Sequence, residues 1–168
     1  SGAPAVLARI KKKITTDAVL TSIRASFAKG MNVKCNIILG FPGETFAEVL
    51  QSYRFIIQMG FAGAFDISVW AFSPYPGSEL FAAISAEREM VLDDAYFDSL
   101  RSYADASKTV SYSEHFTDAR LKRLRVIGTL LFYAAAWARR PYRPFVSLLN
   151  VARGRQESRS EMGLVNVL

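Results

Sequence analysis

The sequence predicts an α/β fold: two parallel strands with helices, followed by an all-helical C-terminal extension. Three observations carry this. Asn32 to Gly40 and Ala64 to Phe72 are apolar runs with period-two alternation. One helical stretch separates them, and so short a crossover implies parallel strands joined with right-handed connectivity. After Met90 no strand pattern recurs.

The elements follow in order. Pro4 suits a first helical turn, where its missing N–H costs nothing, and Val6, Leu7, Ile10 and Ile14 mark the buried face of that helix. Thr15, Thr16 and Asp17 are cap-type residues before a second helix, whose inner face is Val19, Leu20, Ile23 and Phe27 and which Gly30 stops. The first strand sets Val33, Cys35, Ile37 and Leu39 on one face and apolar Ile38 on the other, as expected of a strand buried on both sides. Phe41-Pro42-Gly43 turns the chain. Thr45 caps a helix from Phe46 to about Met59, ended by Gly60. In the second strand Phe65, Ile67, Val69 and Ala71 alternate with Asp66, Ser68, Trp70 and Phe72. Ser73-Pro74-Tyr75-Pro76-Gly77 breaks it, and a short helix begins near Ser78. Asp93 to Lys108, Thr117 to Ala138 and Pro141 to Ala152 read as helices.

The 168 residues amount to about one domain, and 51% hydrophobic against 21% charged residues give a real core and exclude intrinsic disorder. Charge divides the chain. Residues 1–118 carry 11 Lys/Arg against 13 Asp/Glu, whereas 119–168 carry 10 against 2. One cysteine, Cys35, excludes a disulfide framework or a multi-thiolate metal site within these residues, and one histidine, His115, excludes a two-histidine zinc centre. Cys35 reads as a small buried apolar residue and His115 as a surface or capping residue. Asp93, Asp94 and Asp98 read as a solvated face with N-terminal charge rather than a metal site. The opening residues have no signal-peptide pattern, and the tail's longest uncharged run, Val126 to Ala138, falls short of the roughly 20 residues a spanning helix needs. A cytoplasmic protein is expected.

Both strands end in Gly/Pro turns at their carboxyl ends, the edge where α/β folds bind ligands. In Gly40-Phe41-Pro42-Gly43-Glu44-Thr45 the glycines permit close backbone approach and the next helix offers N–H groups. Glu44 has a structural reading beside the functional one, as a carboxylate favourable to the helix dipole. The prolines around Tyr75 fix the second loop and leave carbonyls to meet an adenine edge, or the loop simply stops the strand.

These two turns, in order after two strands, resemble the second half of a radical S-adenosylmethionine (radical SAM) domain. Ser1-Gly2-Ala3-Pro4, Val6-Leu7 and Lys12-Lys13-Ile14-Thr15 resemble the segment after that family's fourth strand. The resemblance covers about residues 1–85. It implies the C-terminal part of a partial (β/α)6 TIM-like barrel over residues 1–90 and a helical extension with a basic tail over 91–168. It also implies S-adenosylmethionine and a 4Fe-4S cluster held by a CxxxCxxC loop that this sequence lacks, so the chain is expected to be a fragment, inactive alone. Carried over by position, Ile38, Gly40, Gly43 and Glu44 match the fifth-strand motif that packs on adenosine. Asn36 stands where that motif often has its first glycine, and Glu44 falls one place late. The Gly-Phe-Pro-Gly-Glu variant is common in methylthiotransferase-like and cobalamin-dependent subgroups. Ala71, Phe72 and Ser73 match the sixth-strand end that reads adenine, Lys12 a basic position for the cofactor carboxylate, and Ser1 a ribose contact.

In the tail, Leu130-Leu131-Phe132-Tyr133 and Arg139-Arg140-Pro141-Tyr142-Arg143-Pro144 are similar to the extension of cobalamin-binding, anaerobic Mg-protoporphyrin monomethyl ester cyclase-like enzymes. That implies a tetrapyrrole or other apolar substrate and a cobalamin in the parent protein. Leu121, Leu124, Gly128, Leu131, Phe132 and Ala135 form one helical face, with Lys122, Arg123 and Arg125 off it. Two readings follow. Either the helix closes the barrel with its arginines solvated, or it lies in a membrane surface with its arginines toward anionic lipid and contacts the inner membrane through 119–160. The exposed strand edges call for the missing barrel half or another chain as partner. The rival function is a non-catalytic module whose basic amphipathic tail docks on a membrane or a partner; nucleic acid is disfavoured, because Phe132, Tyr133 and Trp137 look half-buried.

Overall fold

The computed structural model describes residues 1–87, 89–100, 109–155, 158 and 161–162. Its elements are α1 (Pro4–Arg9), α2 (Thr16–Ala28), β1 (Lys34–Leu39), α3 (Phe46–Ala62), β2 (Asp66–Ala71), α4 (Glu79–Glu87), α5 (Asp94–Ser99), α6 (Asp118–Arg139) and α7 (Arg143–Ala152). β1 and β2 form a two-stranded parallel sheet, with Lys34 opposite Asp66 and Leu39 opposite Ala71. The α/β class and the parallel pairing agree with the sequence. The second half of the helix expected over Asp93 to Lys108, residues 101–108, lies outside the described residues.

Several expectations shift. α1 ends at Arg9 rather than running to Ile14, because Lys11 turns into the left-handed region (φ 55°). α3 runs through Gly60 and ends at Gly63, whose φ of 108° supplies the left-handed cap. Gly60 is an internal packing position: a Cβ there would meet the Ala135 Cβ at 2.9 Å and the Ala136 nitrogen at 3.0 Å, so its missing side chain lets α6 approach.

β1 is not buried on both faces. Cys35, Ile37 and Leu39 are buried, whereas Lys34, Asn36 and Ile38 are exposed. The buried set faces the core, where Ile67, Val69 and Ala71 join Val49, Tyr53, Ile56 and Met59 of α3. Leu121, Leu124, Phe132, Tyr133 and Ala136 of α6 belong to that same core. α6 thus turns one apolar face to the protein, while Val126, Ile127 and Leu130 of the same helix stay exposed. Phe132 and Tyr133 are buried outright rather than half-buried.

Arg125, expected on the solvated side of α6, is only 4% exposed. Its Nε donates to the Val69 carbonyl at 3.0 Å and its Nη1 to the Thr109 hydroxyl at 2.5 Å. Arg140 likewise donates to the Gly63 and Ala64 carbonyls. Tyr133 donates to Asp66 at 2.6 Å, and Tyr53 to the Leu124 carbonyl at 2.8 Å. Periodicity could not place these polar groups, because each is a long side chain reaching over an element far away in sequence. A smaller second core, of Ala3, Val6, Phe41, Phe72, Ile84 and Tyr112, ties both strand-end turns to α1 and α4.

Candidate functional site

The carboxyl ends of β1 and β2 lie side by side, Leu39 beside Ala71, and the Phe72 amide donates to the Leu39 carbonyl at 2.8 Å. Above them the Phe41 and Phe72 rings lie 5.0 Å apart, with Tyr112 edge-on to Phe72 at 6.5 Å. A hollow of about 420 Å³ opens here, lined by Asn36, Ile38, Phe41, Trp70, Ala71, Phe72, Ser73 and Tyr75. The Trp70 indole donates to the Asn36 amide oxygen at 3.1 Å, fixing one wall. A second hollow of about 390 Å³ runs along the other side of β1, between it and α1 and α2; Ser1, Lys12, Ile14, Val19, Val33 and Phe55 are among its lining residues. Asn36, Ile38 and Phe41 line both.

The residues singled out by sequence therefore divide. Ile38, Ala71, Phe72 and Ser73 line the strand-end hollow, whereas Ser1, Lys12 and Ile38 line the other. Gly40, Gly43 and Glu44 line neither and instead build the turn. Glu44 is fully buried and accepts from the Gly40 amide at 2.5 Å and the Phe41 amide at 3.3 Å, while the Ser1 hydroxyl donates to it at 3.3 Å. Burial pushes its carboxyl above the usual range, against the pull of those amides. Glu44 is thus a clasp on its own turn, not a charge at the helix N-terminus. That end is capped by Thr45 and Glu48 in a reciprocal capping box.

The turn's own amides are bonded: Gly43 donates to the Glu114 carboxylate at 2.8 Å, Glu44 to the Phe41 carbonyl at 2.9 Å and Thr45 to the Glu48 carboxylate at 2.7 Å. In the second turn, the Pro74 carbonyl accepts from the Tyr96 hydroxyl at 2.5 Å and the Tyr75 carbonyl from the Ser78 hydroxyl at 2.7 Å. Asp93 caps α5 through the Tyr96 amide at 2.8 Å.

Sequence reasoning missed Trp70, Phe41 and Tyr75 as wall residues. Strand register carried the signal for Trp70, since it stands opposite Ile38. Opposite Asn36, the Ser68 hydroxyl is buried with no hydrogen-bond partner among the described residues.

Chemically, the strand-end hollow is an apolar and aromatic cleft suited to a flat heteroaromatic ring. Among the described residues there is no group of three or more His, Cys, Asp or Glu that could ligate a metal. Cys35 is buried and its thiol is pushed up to about 11, first by burial and then by Asp66. Residues here thus fit a nucleoside and do not fit an iron–sulfur cluster.

The chain is 30% identical, over 114 residues, to the threonylcarbamoyladenosine tRNA methylthiotransferase MtaB of Treponema pallidum. That stretch is 62% of this chain and 23% of the relative, so the similarity reaches under a quarter of that protein. No family profile matches the sequence. The similarity agrees with a radical SAM origin, at the level of the superfamily and over part of the chain, and says nothing of a cobalamin-binding subgroup.

Proposed function

We propose that this chain is the adenosine-binding back half of a radical SAM enzyme. The observation that carries this reading is the aromatic cleft at the adjoining carboxyl ends of two parallel strands. Ile38 and Phe72 would flank the adenine, with the backbone of Ala71 to Ser73 at its edge. Lys12 and Ser1 would reach the carboxylate and ribose from the neighbouring hollow. Glu44 would hold the turn rather than touch ligand. S-adenosylmethionine, once reduced by a cluster, supplies radical chemistry. Residues of this chain bind and orient it, and the cluster ligands belong elsewhere, so the chain alone is inactive.

In this reading residues 1–90 complete a barrel and 91–168 pack on it as an extension. β1 keeps one edge with no strand beside it among the described residues, and the hollow along that edge, walled by Val19, Val33 and Phe55, suits a preceding strand of the missing barrel half. Of the subgroups sharing the Gly-Phe-Pro-Gly-Glu turn, the methylthiotransferase-like one has the named relative in its support. A bound cobalamin and a tetrapyrrole substrate rest on the tail's resemblance alone. A cytoplasmic location accords with the absence, among the described residues, of any helix long and apolar enough to cross a membrane.

Titration of S-adenosylmethionine into the chain, followed by amide NMR shifts, tests the site. Shifts centred on Ile38, Ala71, Phe72 and Ser73 that disappear in Ile38→Asp are expected. Shifts that ignore this substitution, or none at millimolar ligand, would sink the reading. Ile38 is already 37% exposed, so the variant is expected to fold.

A further inference from the structure

α7 is turned inside out. Its polar Ser147 and Asn150 are buried, and Asn150 donates to the buried Glu161 carboxylate at 3.2 Å. Its large apolar residues face outward: Phe145 is 69% exposed, Leu148 57% and Leu149 51%. At i, i+3 and i+4 these three share one helical face. Helices of globular proteins bury such a stripe against a core. Tyr142, at the N-cap, and Met162, beyond the helix, are also exposed.

The same segment is basic. From residue 143 onward four Arg stand against two Glu, and one of those two, Glu161, is fully buried. α7 contains no acidic residue, and exposed Arg153 and Arg155 follow it directly. A second copy of this chain is a poor occupant for the face, since apposing two such patches sets like charges together. An apolar stripe beside arginines suits a negatively charged surface with an apolar interior.

We propose that α7 docks this protein on an anionic lipid bilayer. Phe145, Leu148 and Leu149 enter the boundary of the acyl chains, while Arg153 and Arg155 meet lipid phosphates and Tyr142 sits at headgroup level. α7, at 10 residues, lies on the surface rather than spanning it. The inference stands apart from the adenosine site, which contains no α7 residue.

Flotation of the full chain with vesicles of phosphatidylcholine and phosphatidylglycerol tests it, with pure phosphatidylcholine as comparison. Binding to the anionic vesicles is expected, weakening as salt rises. Phe145→Ser, Leu148→Ser and Leu149→Ser together should lower affinity on the order of 100-fold, and Arg153→Gln or Arg155→Gln about fivefold each. All five positions are exposed, and circular dichroism verifies that the variants fold. The proposal fails if the native chain stays unbound, or if the triple-serine variant floats equally well. It also fails if light scattering shows a dimer that those serines dissociate, which would make the face a contact between copies.

Discussion

The Arg125 Nε lies 3.0 Å from the Val69 carbonyl oxygen, which makes α6 the closing element of the sheet. The Asp66 and Phe72 amides donate to β1, to the Val33 and Leu39 carbonyls. Parallel ladders alternate, so the odd-numbered residues of β2, Val69 among them, turn their carbonyls to the outer edge. One guanidinium meets that edge where a further strand would stand. Replacing Arg125 by Met removes the donor and leaves buried acceptors unmet. A loss of about 2–3 kcal/mol is expected in urea unfolding, with Arg125→Lys recovering part of it. A change within experimental scatter would mean that water satisfies this edge.

Glu44→Ala frees the Gly40 and Phe41 amides inside the protein and should cost about 2–3 kcal/mol. Glu44→Gln keeps an acceptor and should cost less. The two also separate charge from hydrogen bonding. Burial, the largest influence, raises the folded-state pKa of Glu44 above its ordinary 4.5. The folded chain then binds this proton more tightly than the unfolded one, so stability declines as pH rises from about 4.5 toward the raised value and levels off beyond it. Glu44→Gln should flatten that part of the curve. An unchanged slope in the Gln variant would assign it to another group.

Gly60→Ala should destabilise by about 1–3 kcal/mol through overpacking, because backbone of α6 lies in the way and cannot rotate aside. Thermal unfolding checks this. At an ordinary exposed helical site the same change would stabilise, so the sign alone reports whether α3 and α6 are in close contact.

The Cys35 thiol, pushed up to about 11 from its ordinary 9.0, holds on the order of 100-fold less thiolate than a free thiol at neutral pH. Alkylation of the native chain by iodoacetamide should therefore be slower by at least that factor, and should become fast in urea. Native labelling at the denatured rate would show that β1 opens readily.

Some of this protein was legible in its residues. Alternation in Cys35, Ile37 and Leu39 and again in Ile67, Val69 and Ala71 marks the buried faces of the strands, because a pleat repeats every two residues whatever surrounds it. Thr15, Thr45 and Thr117 mark helix starts because a cap is a bond spanning three residues. Gly60 misled. A glycine reads locally as a stop, while its use here is to admit Phe132, Ala135 and Ala136, more than seventy residues further on. Arg125 misled for the same reason, since solvation is the default for a charge until a distant carbonyl is found. At the site, Ile38, Ala71, Phe72 and Ser73 line one hollow, but the Pro74 carbonyl, left open by sequence, is already bonded.

The sequence by itself determined the α/β class, the parallel order of the strands, the two turns at their carboxyl ends and the division of charge near residue 118. Each of these follows from interactions along the chain or from a short repeat. Only the tertiary structure decided that α6 seals the sheet, that Glu44 clasps its own turn and that α7 presents its apolar stripe outward. Those depend on which distant groups meet, and hydrogen bonds and packing between remote segments leave no period in the sequence to read.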